Sequence, residues 1–101
     1  MTSGIYAIID RTGKRYVGKS LYIEKRFEYH RNNLMRGTHH CIALQHAWNS
    51  DRPHRISLWQ WIILELISQD ELDRVFRNRE MAHINSSPQG SYNTMGVHND
   101  A

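Results

Sequence analysis

The sequence predicts a small α+β fold with the element order strand, strand, helix, helix, strand, helix. Three observations lead to this order. Two short stretches near the start are rich in β-branched and aromatic residues and enclose the turn-forming sequence DRTG. Three later segments carry apolar residues at helical spacing. The segment RISLWQWIILEL, between the second and third of these, has strand composition. A length of 101 residues suffices for a single domain, 1–101.

The first two strands are expected at residues 5–9 and 15–17. Gly13, in the turn between them, can adopt the positive φ that a tight turn requires. The pattern predicts a β-hairpin.

The first helix is predicted in SLYIEKRFEYHRNNLMRG, with Ser20 as its cap and Gly37 at its end. Its apolar stripe lies at i, i+4, i+7 and i+11 and comprises Ile23, Phe27, His30 and Leu34. A second row lies at the edge of that stripe, on one side of the helix, and comprises Tyr22, Arg26 and His30. A cleft is expected where the two rows meet.

The second helix, THHCIALQHAWNS, places Cys41, Leu44 and Trp48 on one face. The third strand is apolar on both faces, so it is expected to be central or well covered. The third helix begins with a capping box, Ser68-x-x-Glu71. Its buried face is expected to comprise Leu72, Val75, Phe76 and Ile84.

Glu80 lies on that same face, four residues after Phe76 and four before Ile84. An unpaired carboxylate on an apolar face is costly to bury. Glu80 therefore needs a metal ion, a cation or a hydrogen bond as its partner.

The charge is uneven along the chain. The net charge is +3, but residues 1–36 carry eight basic and three acidic side chains, against five and seven in the remainder. A basic half suits a polyanion such as nucleic acid, and a solvated charged surface is the alternative. No apolar run reaches the roughly 20 residues of a membrane helix. A single cysteine, Cys41, excludes an internal disulfide and favours a reducing, intracellular setting.

Several of these residues resemble the motifs of the GIY-YIG endonuclease family. The two tripeptides that name the family occur as Gly4-Ile5-Tyr6 and Tyr16-Val17-Gly18, the second with Val for Ile. The later motif positions, in chain order, are matched by Arg26, Glu80 and Asn93. ALQHAW also resembles an LQ-x-AW stretch of homing-type members. The resemblance extends from Ser3 to about Gly96 and implies a three-stranded antiparallel sheet flanked by helices.

The resemblance implies metal-dependent hydrolysis of DNA phosphodiester bonds by direct attack of water. Glu80 would bind Mg²⁺ or Mn²⁺, and Arg26 would contact the phosphate and stabilise charge in the transition state. Mg²⁺ keeps most of its waters, so one carboxylate and the phosphate suffice. The alternative for Glu80 is a buried salt bridge with an arginine such as Arg26.

Tyr6 and Tyr16 would face the scissile phosphate from adjacent strands, and one of them would accept or relay a proton from the attacking water. The sequence favours Tyr16, because Lys19 follows closely and a nearby cation favours the phenolate. Free tyrosine has a pKa of about 10, so the base needs such help. Taken singly, each tyrosine is better explained as an ordinary strand residue. The two together with Arg26 and Glu80 favour the active-site role.

Two further residues have a role by resemblance. His30 would bond the phosphate or shuttle a proton, and a buried helix histidine is the alternative. Asn93 would orient Glu80 or a backbone turn, and a simple turn residue is the alternative.

The pair His39 and His40 precedes the second helix, where some homing-type members carry a catalytic histidine. The sequence interpretation selects His40. A zinc site with Cys41 and His46 is disfavoured, because the spacing matches no usual zinc motif and only one thiol is present.

The sequence thus predicts a homing-type GIY-YIG nuclease domain, intracellular and encoded by a phage or mobile element. A restriction- or repair-type nuclease and an inactive DNA-binding module are the alternatives. The expected partners are DNA and an additional DNA-binding domain outside this chain. Association with a membrane is not expected. The basic residues expected to contact DNA are Lys14, Arg15, Lys19, Arg26 and Arg31.

Overall fold

A computed structural model describes residues 2–52, 56–85 and 90–92, and for residues 72–78 it describes the backbone alone. The elements, in chain order, are the strands β1 (Gly4–Ile9) and β2 (Arg15–Ser20), the helices α1 (Ile23–Arg36) and α2 (Ile42–Asp51), a 3₁₀ turn (Ile56–Leu58), strand β3 (Gln60–Leu66) and helix α3 (Gln69–Asn85). The predicted order of strands and helices is confirmed. Nowhere in the described part of the chain is a helix both long enough and apolar enough to cross a membrane.

The three strands form one antiparallel sheet in the order β2-β1-β3. β1 is the central strand of this sheet, and all of its residues are buried. The prediction of a central or well-covered β3 is wrong: β3 lies at an edge, and Ile63 and Leu66 are 43% and 72% exposed. Apolar residues on both faces of a strand indicate burial only when both faces have covering elements, and β3 is covered in part.

Each face of the sheet packs against different helices. Strand alternation places Tyr6, Ile8 and Tyr16 on one face, where they form the larger core with residues of α1 and α2. Ile5 and Val17 lie on the opposite face and pack against Ile84 of α3. The sheet therefore separates the tyrosines from the helix that carries Glu80.

The hairpin turn is organised by Asp10, whose side chain is buried. Its carboxylate accepts hydrogen bonds from the backbone N–H groups of Thr12 and Lys14, at 2.8 and 3.0 Å, and from the hydroxyl of Tyr92. Burial raises the pKa of the Asp10 carboxyl, but these hydrogen bonds outweigh it and hold that pKa below its ordinary value of 3.8. Burial, and then the hydrogen bond to Asp10, raises the pKa of Tyr92. The turn is thus tied to the segment at 90–92.

Helix α1 ends as predicted but begins differently. Gly37 adopts the left-handed conformation, with φ of 79°, and its N–H donates to the carbonyl of Leu34. At the start, the N-cap is Tyr22 rather than Ser20. The Ser20 hydroxyl accepts the N–H of Tyr22 at 2.9 Å, so it supports the bend before the helix.

The core face of α1 is confirmed, with Ile23, His30 and Leu34 buried and Phe27 packed against them. On α3, Ile84 packs as expected. The side chains of Leu72, Val75 and Phe76 lie outside the described residues.

Gly4, the first motif glycine, has no room for a side chain. Its φ is 149°, and a Cβ would lie 2.0 Å from the carbonyl oxygen of Glu65 on β3. The β1–β3 pairing shifts register immediately after it, between Ile5 and Tyr6. A glycine here lets the two backbones approach and sets the register that aims Tyr6 into the core.

Replacing Gly4 with alanine tests this constraint. Gly4→Ala introduces both a backbone clash and an unfavourable φ, so we expect a loss of more than about 2 kcal/mol in the free energy of unfolding. Gly37→Ala is the matched control: its φ is also positive, but nothing lies within 4 Å of its Cβ position. That variant should lose only about 1 kcal/mol in denaturant unfolding. Equal losses in the two variants would contradict the clash at Gly4.

Candidate active site

The two motif tyrosines stand side by side on the α1 and α2 face of the sheet. Tyr6 pairs with Gly18 and Tyr16 pairs with Ile8, so the tyrosines are diagonal neighbours on adjacent strands. The prediction of adjacent strands is confirmed. Both side chains are 0% exposed, and each hydroxyl is hydrogen-bonded to a histidine rather than open to solvent.

Tyr6 belongs to a buried chain of hydrogen bonds. Its hydroxyl lies 2.6 Å from Nε2 of His30, which α1 brings in from above the sheet. Nδ1 of His30 lies 2.7 Å from Nε2 of His39, and Nδ1 of His39 accepts the backbone N–H of Cys41 at 3.0 Å. All these side chains are buried, so they meet each other's hydrogen-bonding needs away from water.

The backbone donor fixes the direction of this chain. A backbone N–H can only donate, so in the neutral His39 ring the proton must lie on Nε2. That Nε2–H donates to Nδ1 of His30, which places the proton of neutral His30 on its own Nε2. The His30 Nε2–H then donates to the Tyr6 oxygen. Tyr6 is therefore an acceptor in this chain.

Gln45 of α2 holds the start of the chain. Its Oε1 accepts the N–H of His39 at 3.0 Å, and its Nε2 donates to the carbonyl of Leu34 at 2.9 Å. The side chain is buried. Gln45 thereby joins the end of α1 to the loop that carries both histidines.

Tyr16 has a different partner, His40. The Tyr16 hydroxyl lies 2.8 Å from Nε2 of His40. The His40 ring is exposed and stacks on His39, with 4.5 Å between ring centroids and an angle of 22° between the planes. His40 is thus the outer member of a stack whose inner members are His39 and His30.

The cations predicted for the site lie around these pairs. Arg26 is half-buried on α1, and its guanidinium stands 5.0 Å from the ring centroid of Tyr29. Lys19 is half-buried on β2. Strand alternation directs Lys19 to the face opposite Tyr16, on the side of α3. The hydroxyl of Tyr16, on the other face, lies against His40.

Glu80 is half-buried on α3, one turn before the packed Ile84. Within the described residues, no three side chains of the histidine, cysteine, aspartate and glutamate types gather to hold a metal ion. The zinc alternative requires such a cluster, and His46 is an exposed residue of α2. Asn93 lies outside the described residues.

The other residues predicted to bind DNA occupy separate places. Lys14 lies over the ring of Tyr92, with Nζ 4.4 Å from the ring centroid. Arg15 is half-buried at the start of β2, where its backbone forms an isolated parallel β-bridge with Ser91. Arg31 is exposed on α1.

Sequence reasoning missed two members of the site. His39 was set aside in favour of His40, although both form part of the network. Gln45 entered only through the likeness of ALQHAW to a family stretch. The available signal was a polar side chain on the buried face of α2, one position after Leu44, which needs a partner when it is buried.

The sequence and the fold both resemble proteins of one family. The model of the GIY-YIG catalytic domain matches residues 2–93. The solved catalytic domain of the homing endonuclease I-TevI is 31% identical, with a TM-score of 0.67, over 87% of this chain and 94% of that chain. A glutamate-to-alanine mutant of the catalytic domain of the intron endonuclease I-TevI is 34% identical, with a TM-score of 0.69, over 89% and 91%. No curated protein matches the chain.

The direction of the buried chain can be measured by ¹⁵N NMR of the histidine rings. At neutral pH we expect both His30 and His39 to carry their proton on Nε2, because the Cys41 N–H sets the whole chain. Tyr6→Phe removes only the acceptor at the far end, so both tautomers should stay as they are in the parent, because the direction is set from the Cys41 end. A proton on Nδ1 of His39 in the parent protein would contradict the assignment.

Proposed function

The chain belongs to the GIY-YIG family of catalytic domains, and from that premise we propose that it is a divalent-metal-dependent DNA endonuclease of the homing type. The observation that carries the proposal is the pair of motif tyrosines, side by side under α1 and each bonded to a histidine. The identity to the I-TevI catalytic domains, which extends over most of both chains, favours the homing type over a restriction or repair type.

The substrate phosphate is proposed to lie along the edge of β2. The tyrosines and histidines lie on one face of the sheet, and Glu80 belongs to the helix on the other face. Groups on opposite faces of a sheet can act on one phosphate only at an edge. β2 is an edge strand that contacts both α1 and α3, so it is the place where the two sets can meet.

Arg26 is proposed to bind that phosphate. A guanidinium presents several donors in a plane and matches the phosphate oxygens. Contact with the ring of Tyr29 restricts the side chain before DNA arrives. A restrained donor loses less conformational entropy when it binds, so it stabilises the transition state at lower cost.

Glu80 is proposed to hold the metal ion. A half-buried carboxylate without a cluster of further ligands in the described residues suits a hard ion that retains water, as Mg²⁺ or Mn²⁺ does. The donor set is oxygen, with the phosphate as the second contributor. Such an ion supplies neutralisation of the charge that develops on the phosphate and leaving oxygens. Asn93 is proposed to orient Glu80 or a backbone turn.

The reaction proposed is direct hydrolysis. Water forms a new P–O bond as the bond to one deoxyribose oxygen breaks, and no intermediate is attached to the protein. The attacking water must lose one proton, and the leaving oxygen must gain one. His30 and Tyr6 contribute as the buried part of the network, which holds the geometry behind the groups that meet water.

DNA is the proposed partner, inside the cell, with a further DNA-binding domain outside this chain. The proposed contacts to the DNA backbone are those of the basic residues Lys14, Arg15, Lys19, Arg26 and Arg31. Three of these five side chains lie on or next to β2, the proposed edge, and the other two lie on α1.

Glu80→Gln tests the metal proposal. The amide keeps the size of the side chain but removes the charge that an ion requires, so cleavage of duplex DNA with Mg²⁺ should fall by at least about 100-fold. Glu71→Gln, an exposed acid on the first turn of the same helix, is the matched control and should cleave at the parental rate. Circular dichroism and DNA affinity should match the parent in both variants. Parental cleavage by Glu80→Gln would remove Glu80 from the site.

The charge distribution predicts how DNA binding responds to salt. Each phosphate neutralised by Lys or Arg releases counterions, so the logarithm of the affinity should fall linearly as the logarithm of the salt concentration rises. With five proposed contacts the slope should approach about −4.5, and Arg31→Gln should reduce its magnitude by about one. Fluorescence anisotropy with a labelled duplex measures both slopes. An affinity that does not change with salt would contradict backbone binding by these residues.

A further inference from the structure

We propose that His40 takes the proton from the attacking water and that Tyr16 is the positioning residue that holds His40. The sequence alone favoured Tyr16 as the base. The inference rests on the proposed nuclease function and assigns one role within it. It follows from the burial of the two residues, the contact between them and the order of the histidine stack.

Access to solvent distinguishes the two residues of the pair. The Tyr16 side chain is 0% exposed, whereas His40, whose Nε2 lies 2.8 Å from the Tyr16 hydroxyl, is exposed. A general base must come within hydrogen-bond reach of the water whose proton it removes. A water and a phosphate that arrive from solvent meet the imidazole first. The buried phenol contacts that imidazole from behind.

Of the three stacked histidines, His40 is the one that meets solvent. His30 and His39 are 0% and 6% exposed, so neither ring can exchange a proton directly with water. Their protons are also committed to the chain that ends at Tyr6. His40 can share an added charge with solvent. Of these three imidazoles, His40 is the one suited to gain and lose a proton during turnover.

The surroundings of His40 support a cationic ring. Tyr16 contacts it from β2, His39 stacks on it at 4.5 Å, and His30 of α1 lies 6.1 Å away, between ring centroids. The Tyr16 oxygen can accept the Nε2–H of the imidazolium, and a hydrogen-bond acceptor at that nitrogen favours the charged ring.

The proton transfer balances without a further reagent. The step requires that neutral His40 carry its proton on Nε2 and donate it to Tyr16, so that the other ring nitrogen takes the proton of water. The water oxygen then forms the bond to phosphorus while the bond to the leaving oxygen breaks. The imidazolium later returns its proton to solvent, and the leaving oxygen takes one from solvent. Free histidine has a pKa of about 6.5, against about 10 for tyrosine, so an imidazole is unprotonated at neutral pH without assistance.

The test compares single-turnover cleavage by three variants across a pH series. The parental rate should rise with pH as the imidazole loses its proton and then level off. His40→Gln keeps a polar group next to Tyr16 but cannot take the proton, so it should be at least about 100-fold slower and lack that rise. Tyr16→Phe should be slowed by a smaller factor and keep the rise at a shifted pH. His46→Gln, an exposed histidine of α2, should follow the parent.

Chemical rescue separates proton transfer from packing. His40→Ala leaves a space open to solvent, and added imidazole should restore a large part of the lost rate, in proportion to its unprotonated form. A parental rate and pH rise in His40→Gln, or a complete loss of the rise in Tyr16→Phe alone, would overturn the inference and leave the nuclease intact. Absence of rescue in a folded, DNA-binding His40→Ala would also overturn it. No cleavage by the parent at any pH with Mg²⁺ would overturn the nuclease and this inference together.

Discussion

Two buried tyrosine hydroxyls, each bonded to a histidine, determine how the helices sit on the sheet. A hydroxyl buried without a partner costs several tenths to a few kcal/mol, so Tyr6 and Tyr16 require acceptors or donors from elements above them. α1 supplies His30, and the loop before α2 supplies His39 and His40. The position of that loop is therefore fixed by the motif residues of the first two strands.

The same network divides the site into an inner and an outer part. The inner part, from the Cys41 N–H through His39 and His30 to Tyr6, is buried and has one hydrogen-bond direction. The outer part is the exposed His40 on Tyr16. The inner part holds geometry, and the outer part meets water. This division explains why a tyrosine pair at the centre of a core can serve a reaction at the surface.

Much of the fold follows from local pattern in the sequence. The helix end at Gly37, the buried stripe of α1 and the hairpin all depend on spacing and on residue type within one element. The edge position of β3 does not follow from local pattern. Its apolar residues show that the strand can be buried, but they do not show whether other elements cover it. Gly4 was predicted as a motif residue, but its reason, the carbonyl of Glu65, lies 61 positions away in sequence and is known only from the structure.

In the site, too, local pattern predicts some residues and contacts between distant parts of the chain determine the others. Tyr6, Tyr16 and His30 stand out because their types and spacing match a family and one helical face. The roles of His39 and His40 depend on the backbone of a short loop, which sets one ring inward and the next outward. No periodicity in sequence records that choice. The burial of both tyrosine hydroxyls was missed for a related reason, since it arises from histidines 24 residues away in each case.

Hydrolysis of the DNA backbone by this chain is tested most directly with supercoiled plasmid in H₂¹⁸O, with Mg²⁺ in one sample and a chelator in the other. We expect nicked or linear DNA in the Mg²⁺ sample alone, with ¹⁸O from water in the new terminal phosphate. Intact plasmid in both samples, equal cleavage in the presence of chelator, or a terminal phosphate without ¹⁸O would contradict metal-dependent hydrolysis by water.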